Sequence, residues 1–276
     1  MWRSLLFVPV LNDRLVKGAA QRNADAIVLD LEAAVPQDRK EEARLTLTGV
    51  VSGLQAAGSD IAVRVNPLNE GGTNDIAAAI DAGADLIVLP QSTRTLVKQA
   101  ADQTGATPLV PLIESPRGVI EALAIAEAAP TVVGLGFGVE DYATEMGAPP
   151  TPGLLVPAAF QVIQAARAAG CEPLVIPDTI ADYTDLGRFE TAAINARALG
   201  ASGSFAIHPG QVEVLNKVFM PSDEEFREAQ EIIVLAEKAS QSGVSIAARN
   251  GKMIDAPIVA RARSVLTLKQ RYADQS

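Results

Sequence analysis

Acids, amides and one arginine stand at or just past the ends of short apolar runs along this chain: Asp30 and Glu32, Arg64 and Asn66, Gln91, Glu114, Asp141 and Asp178, with His208 closing the series. Such a set suits oxyanion and metal chemistry. Glu114 and Asp141 follow consecutive runs, and a small number of oxygen ligands matches Mg²⁺, which keeps several waters and takes the rest of its shell from substrate. Acids at strand-to-helix junctions also cap helices, and spacing alone leaves both readings open. Arg64 is open in the same way: a permanent cation for a substrate anion, or an ion-pair partner of Asp30 or Glu32. His208 is the only histidine, which excludes a multi-histidine zinc site and leaves a hydrogen-bonded residue that shapes its surroundings. Schiff-base chemistry needs a desolvated lysine on a strand, yet the lysines at 17, 40, 98, 217, 238, 252 and 269 all fall outside the apolar runs.

The runs that must position these residues span 3–9, 26–31, 61–66, 86–90, 108–114, 131–137, 171–177 and 204–209. Strands buried on both faces read as continuous hydrophobic segments, and parallel neighbours need crossover helices. Eight such runs predict an α/β fold, a TIM (β/α)8 barrel, with its chemistry at the C-terminal mouth. Helices are expected over 14–22, 39–55, 74–82, 93–103, 117–128, 157–169, 184–198 and 209–218, with Asn12 and Ser115-Pro116 as opening signals. The Gly- and Pro-rich stretch 138–157 reads as a long loop at the mouth. Past the eighth unit come helices over 223–241 and 258–272, joined through a segment that ends Gly251-Lys-Met-Ile-Asp255-Ala-Pro257. The expected organisation is a barrel over 1–220 and a C-terminal helical extension over 221–276, a lid in the same domain or packed on a neighbouring subunit.

Composition narrows the partners. With 23 basic against 33 acidic residues the net charge is −10, which disfavours nucleic acid and anionic membrane surfaces. An anionic small substrate must then be held by local cations, a metal or backbone amides. At 276 residues and 48% hydrophobic the chain fits one barrel, and no stretch approaches the roughly 20 apolar residues of a membrane span. The N-terminus enters a strand at once, so a cytoplasmic protein is expected. Cys171, the only cysteine, reads as an inert buried thiol.

Seven segments in order carry a family resemblance: Arg3-Ser-Leu-Leu-Phe-Val-Pro9, Leu29-Asp-Leu-Glu32 with Ala34-Val-Pro36, Val63-Arg-Val-Asn66, Leu112-Ile-Glu-Ser115, Gly136-Phe-Gly-Val-Glu-Asp141 with Met146-Gly147, Ala206-Ile-His-Pro209, and Gly251 to Pro257. The chain resembles the citrate lyase beta-subunit family, which includes the malyl-CoA and citramalyl-CoA lyases. The resemblance implies a Mg²⁺-dependent TIM barrel that makes or breaks a carbon–carbon bond between a 2-oxo acid and the methyl carbon of an acyl-CoA. It also implies a homotrimer or a dimer of trimers, its C-terminal segment reaching over a neighbour's active site.

Carried across, the resemblance makes Glu114 and Asp141 the metal ligands, Arg64 the arginine facing substrate oxygens, and Asp255 an acid/base carboxylate. Glu32 becomes an anchor for metal-bound water, and the amides of Gly138, Val139 and Glu140 an anion nest for the oxo-acid carboxylate. Arg14 and Lys17, one helical turn apart, either meet the CoA phosphates or are simply solvated. Asp255 has its own plainer reading as a cap for the last helix. The chain departs from the family at Val10, Ala33 and Gln91, where Gly, an acid and Lys are common, which points to altered substrate preference. Three functions follow: a lyase of malyl-, citramalyl- or citryl-type CoA thioesters, a metal-dependent aldolase of free 4-hydroxy-2-oxo acids, and a complex-dependent subunit idle without an acyl-carrier partner.

Overall fold

Runs rich in Val, Ile and Leu form the strands β1 (Ser4–Pro9), β2 (Ala26–Asp30), β3 (Asp60–Arg64), β4 (Leu86–Leu89), β5 (Leu109–Ile113), β6 (Gly134–Phe137), β7 (Glu172–Leu174) and β8 (Ser204–Ala206). The computed structural model describes residues 2–241, 247–249 and 252–273. All neighbouring pairs are parallel, in the order β7-β6-β5-β4-β3-β2-β1-β8. A bridge between Leu174 and Gly203, with the Ser202 N–H donating to the Pro173 carbonyl at 3.0 Å, brings β8 back to β7 and closes the barrel.

Strand alternation decides what faces the axis. Leu5, Val28, Ala62, Val88, Val110, Leu112, Leu174 and Phe205 fill the interior, while Ile27, Leu29, Ile61, Val63, Ile87 and Leu89 pack outward against the helices. Extending the inward parity one step beyond these core positions reaches Asp30 on β2, Arg64 on β3 and Glu114 after β5. The mouth thus inherits its polar residues from the same period that builds the core.

The crossovers are α1 (Asp13–Ala19), α2 (Lys40–Gln55), α3 (Gly72–Asp81), α4 (Arg94–Thr104), α5 (Pro116–Ile120), α6 (Ala122–Ala126), α7 (Val139–Glu145), α8 (Pro152–Ala168), α9 (Leu186–Leu199) and α10 (Pro209–Val218). Asn12 and Ser115 cap α1 and α5 by accepting from the N–H groups of Leu15 and Gly118. Two expectations are corrected. The stretch 138–157 is not a continuous loop, because Val139, Tyr142 and Ala143 bury one face of α7. Pro157 does not start a helix; α8 opens at Pro152, whose missing N–H costs nothing in the first turn, and runs through Pro157 on buried Leu155, Ala158 and Ala159.

Met1–Phe219 and Met220–Ser276 form two compact units. The second contains α11 (Asp223–Gln241), an antiparallel hairpin of β9 (Ala247–Arg249) and β10 (Lys252–Ile254), and α12 (Ala256–Ala273). No helix among the described residues is long and apolar enough to cross a membrane.

Candidate active site

Arg64 is the centre of the polar cluster at the barrel mouth. Its Nε and Nη2 donate to the two oxygens of Asp30 at 2.8 and 2.7 Å, and Nη1 lies 2.9 Å from Glu32 Oε2. The guanidinium also stacks over Phe7, 4.5 Å from the ring centroid. The plainer alternative of a structural ion pair is therefore present in the geometry. Burial would lower the Arg64 pKa, but hydrogen bonding and charge from Asp30, with Glu32 and Glu114, hold it above the ordinary value. Asp30, itself buried, accepts from the N–H groups of Glu32 and Ala34 at 2.9 and 3.0 Å, so one carboxylate orients both the arginine and the turn after β2.

Glu114, just after β5, is a buried acid whose charge acts on Arg64. Its Oε2 accepts from the Gln91 N–H at 2.6 Å, and Gln91 presents that N–H from a left-handed backbone with φ 47°. Non-glycine residues rarely adopt this conformation, and it concentrates at functional sites. Burial pushes the Glu114 carboxyl up to about 7; the Gln91 N–H opposes the rise, and the charges of Glu32 and Asp141 add to it. Glu32 is raised as well, first by burial, with Arg64 opposing and Asp30 and Asp141 reinforcing. Asp141, exposed in the first turn of α7, is thus close enough for its charge to act on both glutamates.

The other sequence candidates fall into place unevenly. The Gly138 N–H already donates to the Ile113 carbonyl at 2.9 Å, which removes it from any anion nest and leaves the amides of Val139 and Glu140. The Glu140 carboxylate accepts from the Thr179 hydroxyl. Asp178 is held by Arg188, whose Nε donates to it at 2.8 Å. His208 caps α10, accepting from the Gly210 N–H at 3.1 Å, and stacks on Tyr183. Cys171 is buried, and burial raises its thiol pKa. Asp255 lies in the second unit, where its Oδ1 accepts from the Ile258 N–H at 3.3 Å in the manner of a helix cap.

A pocket of about 390 Å³ opens beside Arg64, between the ends of β1 and β2 and the first helix. Phe7, Ile180, Ile207 and Pro209 give it apolar walls, and Arg14, Arg22 and Arg64 give it cations. Lys17 is not part of that lining. Arg22 escaped the sequence reading because it lies in a short helical turn after α1 rather than at the end of an apolar run.

A barrel with acids and an arginine gathered at its mouth is suited to binding and stabilising oxyanions, and comparison with known proteins supplies the class. Residues 3–209 match the HpcH/HpaI aldolase/citrate lyase family, to which this chain belongs, and it is accordingly an enzyme of the lyase class. Citrate lyase subunit beta of Escherichia coli is 32% identical over 96% of this chain and 92% of its own. The (3S)-malyl-CoA thioesterase of Cereibacter sphaeroides is 32% identical over 99% and 96% of the two chains. The crystal structure of protein CitE from Mycobacterium tuberculosis in complex with magnesium, acetoacetate and coenzyme A superposes with a TM-score of 0.76 at 26% identity, covering 97% of each chain.

Proposed function

We propose that this chain is a Mg²⁺-dependent lyase that cleaves or forms a 3-hydroxyacyl-CoA thioester of the malyl, citramalyl or citryl type. The observation that carries this is the convergence of Glu32, Glu114 and Asp141 on the mouth that holds Arg64. Among the described residues no three His, Cys, Asp or Glu side chains are pre-arranged around a metal position. The donor set nevertheless fits: Glu114 is a buried acid near other acids, and a cation there would offset the burial and repulsion that raise its pKa. Glu114 and Asp141 would hold Mg²⁺, with Glu32 orienting its waters. When bound, the ion lowers the pKa of the substrate hydroxyl and neutralises its carboxylate, so that bond cleavage begins near neutral pH.

The chain's own groups do the rest. Arg64 has five N–H donors and cannot lose its charge, so beyond its carboxylate partners it retains capacity for the thioester oxygen that becomes an enolate. Its fixed orientation by Asp30 keeps the cost of reorganisation low during reaction. The cationic rim of Arg14 and Arg22 over apolar walls suits a phosphorylated acyl carrier better than a small free acid. Asp255 supplies or removes the proton at the enolate carbon, delivered by the second unit of a neighbouring subunit in a homotrimer or hexamer.

The likeness to the malyl-CoA thioesterase supports a second reading, in which thioester hydrolysis follows or replaces cleavage. Incubating the protein and Mg²⁺ with a panel of CoA thioesters and free 4-hydroxy-2-oxo acids, read by mass spectrometry, separates these outcomes. Release of a 2-oxo acid with a shortened acyl-CoA supports the lyase; free hydroxy acid and CoA show hydrolysis in place of cleavage, and a 2-oxo acid with a shortened free acid and CoA show hydrolysis after it; turnover of free acids alone overturns both.

A further inference from the structure

Lys40, the first residue of α2, is buried at 9% exposure, although a lysine at a helix start ordinarily reaches solvent. Its ammonium has three protons, and each has an acceptor at 2.7 Å: the carbonyl of Leu31, the carbonyl of Glu32 and Oδ1 of Asn66. These acceptors are neutral. A buried cation held by neutral oxygens is expensive, and burial does lower the Lys40 pKa, with the charges of Asp75, Asp30 and Glu32 acting in opposition.

The acceptors show what the cation secures. Leu31 and Glu32 form the turn leaving β2, and Asn66 follows β3, so one ammonium ties the turn that carries Glu32 to the segment just past Arg64. Asn66 completes the tie by donating from Nδ2 to the Leu31 carbonyl at 2.9 Å. Its backbone N–H donates to Asp75 Oδ2 at 2.8 Å, and Arg44 Nη1 holds Asp75 Oδ1 at 2.9 Å. The hydrogen bonds of Lys40 go to backbone carbonyls and a side-chain amide, and not to the Arg64 guanidinium or the Glu32 carboxylate.

We infer that Lys40 is a positioning residue: by clamping the Leu31–Glu32 carbonyls to Asn66 it fixes the Glu32 carboxylate against Arg64 in the geometry the reaction uses. This deepens the lyase reading and rests on it for its catalytic consequence. The structural part stands apart, because the turn contains four amides with defined partners: Leu31 on the Arg64 carbonyl, Glu32 and Ala34 on Asp30, and Val35 on the Glu32 carbonyl.

The test compares full-length wild type with Lys40→Met, which keeps length and removes charge and donors, and with Lys40→Arg, which keeps both. Amide exchange is measured at 31–35 and on β5 and β6, together with kcat and KM on the best thioester. In Lys40→Met, exchange at 31–35 should rise by about tenfold or more while β5 and β6 are unchanged, and kcat should fall about 10- to 100-fold with KM within about threefold. Lys40→Arg should recover part of the kcat. If Lys40→Met does not fold, Asn66→Ala carries the same comparison, since it removes one acceptor of the clamp. Unchanged exchange at 31–35, or a rise shared equally with β5 and β6 at constant kcat, overturns the inference. If wild type turns over none of the substrates, the lyase reading falls and the exchange pattern alone decides the positioning role.

Discussion

Gly138 backs directly onto Glu114: a Cβ at Gly138 would lie 2.5 Å from Glu114 Cγ and 2.8 Å from its Oε1. Gly138 has an extended backbone, so glycine is needed there for close approach and not for an unusual conformation. Gly138→Ala must therefore push the Glu114 carboxylate from its place. Overpacking of this kind typically costs about 1–3 kcal/mol of stability. The sharper expectation concerns the metal: Mg²⁺ affinity measured by calorimetry should fall about tenfold or more, and turnover with it. Unchanged Mg²⁺ binding would separate Glu114 from the metal.

The raised pKa of Glu114 gives a pH signature for the metal-free protein. Its carboxyl titrates at about 7 folded, against 4.5 as its ordinary value, so between these pH values the folded state holds the extra proton. Stability from this group is then full below about pH 4.5 and is lost as pH rises through 7, at most on the order of 3 kcal/mol. Glu32, also raised, acts in the same direction. Denaturant unfolding from pH 4.5 to 8 should show the fall, Glu114→Gln should flatten it, and Mg²⁺ should restore stability at the alkaline end. Glu114→Gln and Asp141→Asn should both abolish Mg²⁺-dependent turnover with the fold intact by circular dichroism.

Arg64→Lys tests geometry at constant charge. A lysine cannot reproduce the two-point contact with Asp30 while also reaching Glu32, so the developing oxyanion loses a fixed partner. We expect kcat to fall more than KM rises, and an unchanged kcat would leave Arg64 as a structural ion pair. Arg64→Ala should also destabilise the fold, by at most about 3–5 kcal/mol, because it leaves the buried Asp30 carboxylate with the Glu32 and Ala34 N–H groups but without its cation.

The barrel was legible because strands buried on both faces give uninterrupted apolar runs, and Asp30, Glu32 and Arg64, near the ends of two of these runs, do come together in the structure. Lys40 was not legible: its burial depends on carbonyls from one loop and an amide from another, a three-body contact with no local pattern. Short α7 was hidden because seven residues carry too few periodic positions to stand out against flanking Gly and Pro. Pro157 misled by its usual preference for a first turn, which the buried face of α8 overrides. The hairpin of β9 and β10 gave too short an alternation to register.

The last prediction concerns Asp255. In its own unit its Oδ1 accepts from the Ile258 N–H, and no partner of the other oxygen is seen among the described residues. An enolate at an open barrel mouth needs a positioned proton donor and a cover against solvent. If the second unit of one protomer provides both to its neighbour, activity requires the assembly. Two inactive proteins, Asp141→Asn and Asp255→Ala, are mixed and their subunits allowed to exchange. Hybrids that join an intact metal site to a neighbour's intact Asp255 should regain a fraction of wild-type turnover, while each parent alone stays inactive. A helix cap alone predicts something different: Asp255→Asn, which keeps an accepting oxygen at that position, would retain both stability and kcat. Loss of kcat in Asp255→Asn at unchanged melting temperature, together with rescue in the hybrids, assigns the proton to Asp255 acting between subunits; exchange without rescue means that Asp255 acts within its own protomer, if Asp255→Asn loses kcat, or is only a cap, if it does not.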